Sequence, residues 1–99
     1  MAATYPRTGR WSKLRTRFLE ENRPDELERM KQDGTLTEYL NQIEDEYNER
    51  FARMEEDQLK KTQLEVRYGR HEIDWQTYMG EFNQIRASIH ELLANELCC

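Results

Sequence analysis

The amino-acid sequence predicts an all-α protein: a long antiparallel helical hairpin preceded by two short helices. Two apolar stripes favour this fold, because their members recur at steps of three and four residues, as on one side of an α-helix. The first stripe consists of Leu36, Leu40, Ile43, Tyr47, Phe51 and Met54. The second consists of Trp75, Tyr78, Phe82, Ile85, Ile89, Leu92 and Glu96. A short connection around Gly69 separates the stripes, and helices joined by short connections are usually antiparallel neighbours.

The composition indicates one small domain, residues 1–99, with a thin hydrophobic core. Charged residues make up 35% of the chain and hydrophobic residues 36%, so little apolar surface is available for burial. We expect a stability of roughly a few kcal/mol, or support from a second chain. The apolar runs are too short to span a membrane and no secretory segment is visible, so we expect a soluble, cytoplasmic protein.

The N-terminal third is predicted to form an extended arm and two short helices. Residues 1–9 are assigned to the arm, and the first helix is predicted over residues 10–21. Its apolar face consists of Trp11, Leu14, Phe18 and Leu19. The second helix begins at Pro24, a favoured residue in a first helical turn, and stops at Gly34, a favoured residue just after a helix end. Together these helices occupy residues 10–34.

The remainder, residues 35–97, is predicted to form the hairpin. Thr35 and Glu38 form a capping-box pattern at the start of the third helix, which is able to continue to Tyr68. The first stripe slips after Met54, so we expect a kink or bulge near residues 55–60, or a different packing partner for the second half.

The final helix is predicted from Trp75 to about Leu97. Asp74 precedes it and is a suitable N-cap residue. The helix carries the second apolar stripe, so it is expected to lie along the third helix.

Histidines and cysteines do not form a catalytic or metal-binding pattern. His71 falls in a predicted turn and His90 lies beside an apolar stripe, and neither has a Ser, Cys or Asp partner on the same face. Cys98 and Cys99 are neighbours, which rarely form a disulfide with each other. Metal-ligand spacing and a phosphate-binding glycine loop are not found. We therefore expect no enzymatic activity, no metal and no cofactor.

Four carboxylates are predicted to form an acidic ridge on the third helix: Glu38, Asp45, Glu49 and Glu56. On a helical wheel they lie within about 40° of each other, opposite the first stripe. Such a row imitates a phosphate backbone, so the ridge is a candidate partner-binding surface. The alternative is a solvated face stabilised by helical ion pairs. These pairs are Glu46–Arg50, Glu49–Arg53, Glu56–Lys60 and Asp57–Lys61.

A basic segment precedes this acidic region. Residues 1–19 carry a net charge of +5, whereas residues 20–99 carry −10. The candidate contact residues of the basic segment are Arg7, Arg10, Trp11, Lys13, Arg15 and Arg17. Basic side chains on one helical face beside Trp11 are able to bind a nucleic-acid backbone, with the indole as a stacking platform. Two interpretations stay open beside this one: docking on acidic surface of this chain or a second copy, and a plain solvated surface.

Three sequence blocks point to a known family. The first comprises Gly9-Arg10-Trp11, Leu14, Phe18-Leu19 and Arg23. The second comprises Gly34-Thr35-Leu36, Tyr39-Leu40, Ile43 and Glu49-Arg50-Phe51. The third comprises Trp75, Phe82-Asn83-Gln84-Ile85-Arg86, Glu91 and Glu96. With these blocks, residues 9–97 resemble the TnpV-type proteins, small proteins encoded in bacterial transposons and other mobile elements. The resemblance implies a mobile-element context in a bacterial host and brings no catalytic motif.

The favoured hypothesis is a non-enzymatic binding protein with which a mobile element inhibits a host defence protein that handles nucleic acid. Its concrete version is an anti-CRISPR protein whose acidic ridge competes for the basic channel of an effector nuclease. The alternative is a nucleic-acid-binding accessory or regulatory protein of a transposon that uses residues 7–17. We expect a protein partner and no membrane, and a homodimer stays open.

Overall fold

The computed structural model describes residues 9–98, and these residues form five α-helices without a strand. The helices are α1 (Arg10–Asn22), α2 (Pro24–Asp33), α3 (Leu36–Thr62), α4 (Leu64–Gly69) and α5 (Trp75–Leu97). The predicted all-α class and the two short N-terminal helices are therefore confirmed. The arm assigned to residues 1–9 lies outside the described part of the chain, except for Gly9. Within that part, no helix has the length and apolar character needed to cross a membrane.

The helices divide between two compact units. The N-terminal unit contains the described residues 9–49 and 94–98, and the central unit is Arg50–Leu93. The N-terminal unit thus holds α1, α2, the first half of α3 and the end of α5. The central unit holds the rest of α3, α4 and most of α5. A single domain over residues 1–99 stays a prediction.

The core of the N-terminal unit forms where α1 and α2 meet the start of α3. One core cluster consists of Leu19, Leu27 and Met30, with Phe18, Leu36 and Tyr39 packed against it. Trp11, Leu40, Tyr47 and Leu97 are also buried in this unit. Fully burying such a side chain contributes about 1.5–3 kcal/mol. The predicted apolar faces of both short helices are therefore turned inward.

Helix α2 begins and ends where its sequence predicts. Pro24 occupies its first position, where a missing N–H costs no helical hydrogen bond. Gly34 ends the helix with a φ of 76°, in the left-handed region that favours glycine. The Thr35 N–H then donates to the Met30 carbonyl at 3.0 Å and the Gly34 N–H to the Lys31 carbonyl at 3.3 Å. These two bonds satisfy carbonyls at the helix end and turn the chain into α3.

The break in the third predicted helix lies at Gln63, not at residues 55–60. Helix α3 runs without interruption through the expected region, and Gln63 then adopts a left-handed conformation with a φ of 51°. This residue rotates the following turn, so that Leu64 is buried while Val66 is 45% exposed. The apolar stripe thus slips at Met54, whereas the helix is interrupted only at Gln63, about two and a half turns later.

Arg67 closes this break from within the central unit. Its Nε donates to the Thr62 carbonyl at the end of α3, at 3.1 Å, and its Nη2 donates to Glu81 Oε1 of α5, also at 3.1 Å. The Thr62 hydroxyl in turn donates to the Gln58 carbonyl at 2.9 Å. The Arg67 side chain thus satisfies the Thr62 carbonyl, one of the last four of α3, which have no partner within that helix.

Asp74 caps α5 as the sequence predicts. Its Oδ1 accepts a hydrogen bond from the Thr77 N–H at 2.8 Å, the geometry of an N-cap. Hydrogen bonds from the Thr77 side chain and then from the Thr77 backbone lower the pKa of the Asp74 carboxyl, because they favour its charged form. The start of α5 is therefore fixed by a local interaction that needs no contact with the rest of the chain.

Candidate functional site

The acidic side chains of α3 differ in what surrounds them. Residues 36–49 contain five acidic side chains and no Lys or Arg. Of the predicted ridge, Glu38, Asp45 and Glu49 are exposed in the N-terminal unit, and Glu56 is exposed in the central unit. We call the first three the acidic face. The ridge as one continuous binding surface of four residues stays a prediction.

Glu56 belongs to a run of helical ion pairs. Lys60 Nζ lies 3.1 Å from Glu56 Oε1, and Lys61 Nζ lies 3.1 Å from Asp57 Oδ2. Both predicted pairs are therefore confirmed. All four side chains are well exposed, so each pair contributes no more than about 0.5 kcal/mol. Glu56 is thus partly neutralised by its own helix.

Glu44 is the acidic side chain of this segment that turns inward. Its Oε2 accepts hydrogen bonds from the Trp11 N–H at 3.2 Å and the Ser12 N–H at 3.1 Å. These are N–H groups of the first turn of α1, which have no partner within their own helix. A carboxylate at a helix N-terminus is also favoured by the helix dipole. Glu44 therefore caps α1 from α3, across 32 and 33 residues of sequence.

Glycine at position 9 makes room for this cap. A Cβ at Gly9 would collide with the Glu44 carboxylate, although the φ of −131° suits any residue. The Gly9 N–H donates to Ser12 Oγ at 3.2 Å, and the Ser12 hydroxyl lies 3.1 Å from the Gly9 carbonyl oxygen. Glu44 is not among the residues predicted from the sequence. The available signal was its position between Leu40 and Tyr47 on the apolar side of α3.

Trp11 belongs to the core and not to a binding surface. Its exposed fraction is 0%, its Nε1–H donates to Asn48 Oδ1 at 2.9 Å, and its ring centroid lies 5.8 Å from that of Tyr47. A buried indole whose N–H is already bonded is not available to stack on a base. The burial of Trp11 therefore argues against the suggested role as a stacking platform, while its place on the apolar face of α1 is confirmed.

The basic segment divides into one internal and three exposed side chains. Arg15 is half-buried, and its Nε donates to the Tyr39 hydroxyl and its Nη1 to the Leu97 carbonyl, both at 2.8 Å. Arg10, Lys13 and Arg17 are exposed, and the Arg10 guanidinium lies 4.7 Å from the Trp11 ring centroid. Arg7 lies outside the described residues. Arg15 thus ties α1 to α3 and to the end of α5, in keeping with the intramolecular interpretation for this residue.

The two histidines lie on different elements of the central unit. His71 is exposed in the turn after α4, and His90 is half-buried in α5. Among residues 9–98, no three His, Cys, Asp or Glu side chains are grouped closely enough to hold a metal ion.

The sequence matches one known protein family over almost its whole length. The family described as transposon-encoded protein TnpV matches residues 2–98. No curated protein and no solved structure shows a significant match. The match includes the Gly9–Trp11 block, whose tryptophan bonds to Glu44 and Asn48 of α3 and whose glycine leaves room for the Glu44 carboxylate.

Proposed function

Because the chain belongs to the family of transposon-encoded TnpV proteins, we propose that it acts as a non-enzymatic binding protein for its mobile element. Its target is a host defence protein that handles nucleic acid, in the cytoplasm of a bacterial host. The concrete version is an anti-CRISPR protein that inhibits an effector nuclease. Charge complementarity between the acidic face and a basic nucleic-acid channel provides the affinity.

The observation that carries this proposal is the concentration of exposed carboxylates on the first half of α3. Glu38, Asp45 and Glu49 are exposed on this half of the helix, whereas Glu44 is the member turned into the core. A rigid helix holds the exposed carboxylates about 6–10 Å apart along its axis, which equals about two to three phosphate steps of ~3.4 Å along one DNA strand. The partner surface is therefore expected to be basic.

The same contacts weaken the alternative, a nucleic-acid-binding accessory protein. Of the candidate residues in the basic segment, Trp11 is buried and Arg15 is bonded to Tyr39 and Leu97. Arg10, Lys13 and Arg17 remain for phosphate contacts. Within the described part of the segment, three exposed cations and no exposed aromatic ring give weak, salt-sensitive binding without base readout.

We also propose that α3 and α5 run antiparallel as a hairpin, with no catalytic site between them. Two ion pairs support the hairpin: Arg86 Nε lies 3.5 Å from Glu55 Oε2 of α3, and Arg67 joins the helix break to Glu81 of α5. Replacing His71 and His90 by alanine together should leave inhibition within a few-fold of the native level.

The inhibition proposal is tested with charge-reversal variants in a DNA-cleavage assay. The assay measures cutting of a target duplex by a guide-loaded effector nuclease from the bacterial host. The acidic-face variant carries Glu38→Lys, Asp45→Lys and Glu49→Lys. It should lose inhibition by roughly a hundredfold, because three favourable charge pairs become repulsive. Inhibition by the native chain should also weaken as salt rises, since salt screens these pairs.

A matched control variant distinguishes the effect of where the charges are reversed from the effect of the change in net charge. The variant Glu20→Lys, Glu21→Lys and Glu28→Lys has the same change in net charge, on exposed positions of α1 and α2. It should inhibit like the native chain. A further variant carries Arg10→Glu, Lys13→Glu and Arg17→Glu. If this basic variant is inactive and the acidic-face variant is fully active, the inhibitor proposal is wrong and the accessory function replaces it.

A further inference from the structure

The large apolar side chains that remain exposed all lie in the central unit. Among the described residues they are Val66, Tyr68, Trp75 and Leu92. Trp75 is 58% exposed and Leu92 is 50% exposed. These two residues are the first and the last apolar members of the second stripe, while Ile89 in its interior is 4% exposed. Tyr78, Phe82 and Ile85 between them are half-buried, so the chain covers its own stripe only in part and leaves both ends uncovered.

We propose that a second copy of this chain covers the stripe, with the two α5 helices antiparallel. The steps along the stripe from Trp75 to Leu92 are 3, 4, 3, 4 and 3 residues, the same from either end. An antiparallel copy therefore places Trp75 of one chain against Leu92 of the other, and the reciprocal pair forms by symmetry. The two contacts are about 26 Å apart at 1.5 Å per residue.

The groove beside Leu92 has enough volume to receive an indole ring. Met54 of α3 and Ile85 and Leu92 of α5 line a groove with a volume of about 390 Å³. Ile89 adds to its apolar lining, and the polar residues of the lining are Gln58, Thr62, Glu81, Gln84 and Ser88. Aromatic side chains that fill such grooves are typical anchors of protein interfaces. Trp75 stands beside Tyr68 and Tyr78, with ring centroids 5.8 and 5.7 Å away, so it is held in place before association.

The nearly neutral charge of the central unit favours a second copy of this chain over a strongly acidic or strongly basic partner. The central unit, Arg50–Leu93, contains eight acidic and seven basic side chains, a net charge of −1. Two such units approach each other with little repulsion. The exposed parts of Trp75, Tyr68 and Leu92 supply about half of the ~800 Å² that each partner contributes to a standard interface. Half-buried Phe82 and Ile85 add to this area.

The first test measures the mass of the native chain by sedimentation equilibrium over a range of concentrations. The expected result is a reversible dimer with twice the 12.1 kDa of one chain. Leu92→Glu should raise the dissociation constant by roughly a hundredfold, because a charge enters an apolar contact twice. Gln76→Glu makes the same charge change on an exposed position away from the stripe and should leave the dimer intact. Circular dichroism checks that both variants remain helical.

The second test determines the direction of the helices. In a background without Cys98 and Cys99, chains carrying Trp75→Cys are mixed with chains carrying Leu92→Cys and oxidised gently. The mixed disulfide should exceed the Trp75→Cys self-disulfide by roughly tenfold, because only the former brings the two Cβ atoms within bonding distance. The reciprocal Leu92–Trp75 contact stays native in this mixed dimer. Gln76→Cys replaces Trp75→Cys as the matched control and should give little cross-linking.

Three results would overturn the proposal. The native chain remains a monomer throughout; Leu92→Glu leaves the dimer unchanged; or the self-disulfide exceeds the mixed one.

Discussion

The smallest change that tests the packing of α1 on α3 is a methyl group at Gly9. Gly9→Ala brings a Cβ into the place of the Glu44 carboxylate, which is bonded to the N–H groups of Trp11 and Ser12. The carboxylate must then leave its donors or displace α1. We expect the free energy of unfolding to fall by about 1–3 kcal/mol, measured by urea denaturation.

Two controls separate this collision from the general effect of replacing glycine. Gly80→Ala, in the interior of α5 with no atom within 4 Å of the new Cβ, should raise the free energy of unfolding by about 0.5–1 kcal/mol. In a Glu44→Ala background, Gly9→Ala should cost less than about 0.5 kcal/mol, since the colliding group is gone. An equal cost with and without Glu44 would contradict the assigned contact.

The burial of Trp11 and of Glu44 could not be predicted from neighbouring residues in the sequence. Trp11 fits both an apolar helix face and a nucleic-acid contact, and helical spacing alone favours the first without excluding the second. Its burial depends on Asn48 and Tyr47, more than thirty residues away, which provide the hydrogen bond and the ring contact. Glu44, judged only from its neighbours in the sequence, is a charged residue that is expected at the surface. Its burial becomes favourable only because the start of α1 supplies two N–H donors.

Gln63, between α3 and α4, is a residue other than glycine with a left-handed backbone conformation. Its φ of 51° is costly for a side chain with a Cβ, by about 1–2 kcal/mol. Gln63→Gly should therefore raise the free energy of unfolding by about 0.5–1 kcal/mol, after allowance for the greater freedom of glycine in the unfolded chain. The same substitution at exposed Gln84, in the interior of α5, should lower it by a similar amount. Equal signs at both positions would mean that Gln63 is helical in solution.

The N-cap of α5 makes stability depend on pH in a defined direction. The pKa of folded Asp74 lies below its ordinary value of 3.8, because Thr77 donates to the carboxylate. The charged cap thus stabilises the fold above the unfolded pKa, and this contribution is lost as the pH falls through the lower, folded pKa. The stability difference between the native chain and Asp74→Ala should shrink from pH 7 towards pH 2, in thermal melts. Asp74→Asn, which accepts the same bond without titrating, should show no such pH dependence relative to Asp74→Ala.

Helix ends were more predictable than the helix interruption. Pro24, Gly34 and Asp74 act through local chemistry that is visible in a few consecutive residues. The interruption near α4 depends on Gln63, a residue with no sequence preference for a left-handed backbone, and on Arg67 reaching the Thr62 carbonyl and Glu81. The slip of the apolar stripe therefore indicated a discontinuity but not its position.

At the scale of the whole molecule, each unit contains one tryptophan in a different environment. Trp11 of the N-terminal unit is buried and Trp75 of the central unit is 58% exposed. In dilute solution, Trp75→Phe should leave blue-shifted emission that acrylamide quenches poorly. Trp11→Phe should leave red-shifted, easily quenched emission. The opposite order of quenching would contradict the assigned burial.

Arg15 links the beginning of the described chain to its end, through a hydrogen bond between its guanidinium and the Leu97 carbonyl, 82 residues away. The N-terminal unit therefore includes residues that the ribosome adds only after the whole central unit, Arg50–Leu93. While the chain is being translated, α1, α2 and α3 can form and meet, but Arg15 has no carbonyl to bind until Leu97 has left the ribosome. Proteases and chaperones thus encounter an unfinished N-terminal unit throughout synthesis, and the native fold is completed only after elongation has passed residue 97.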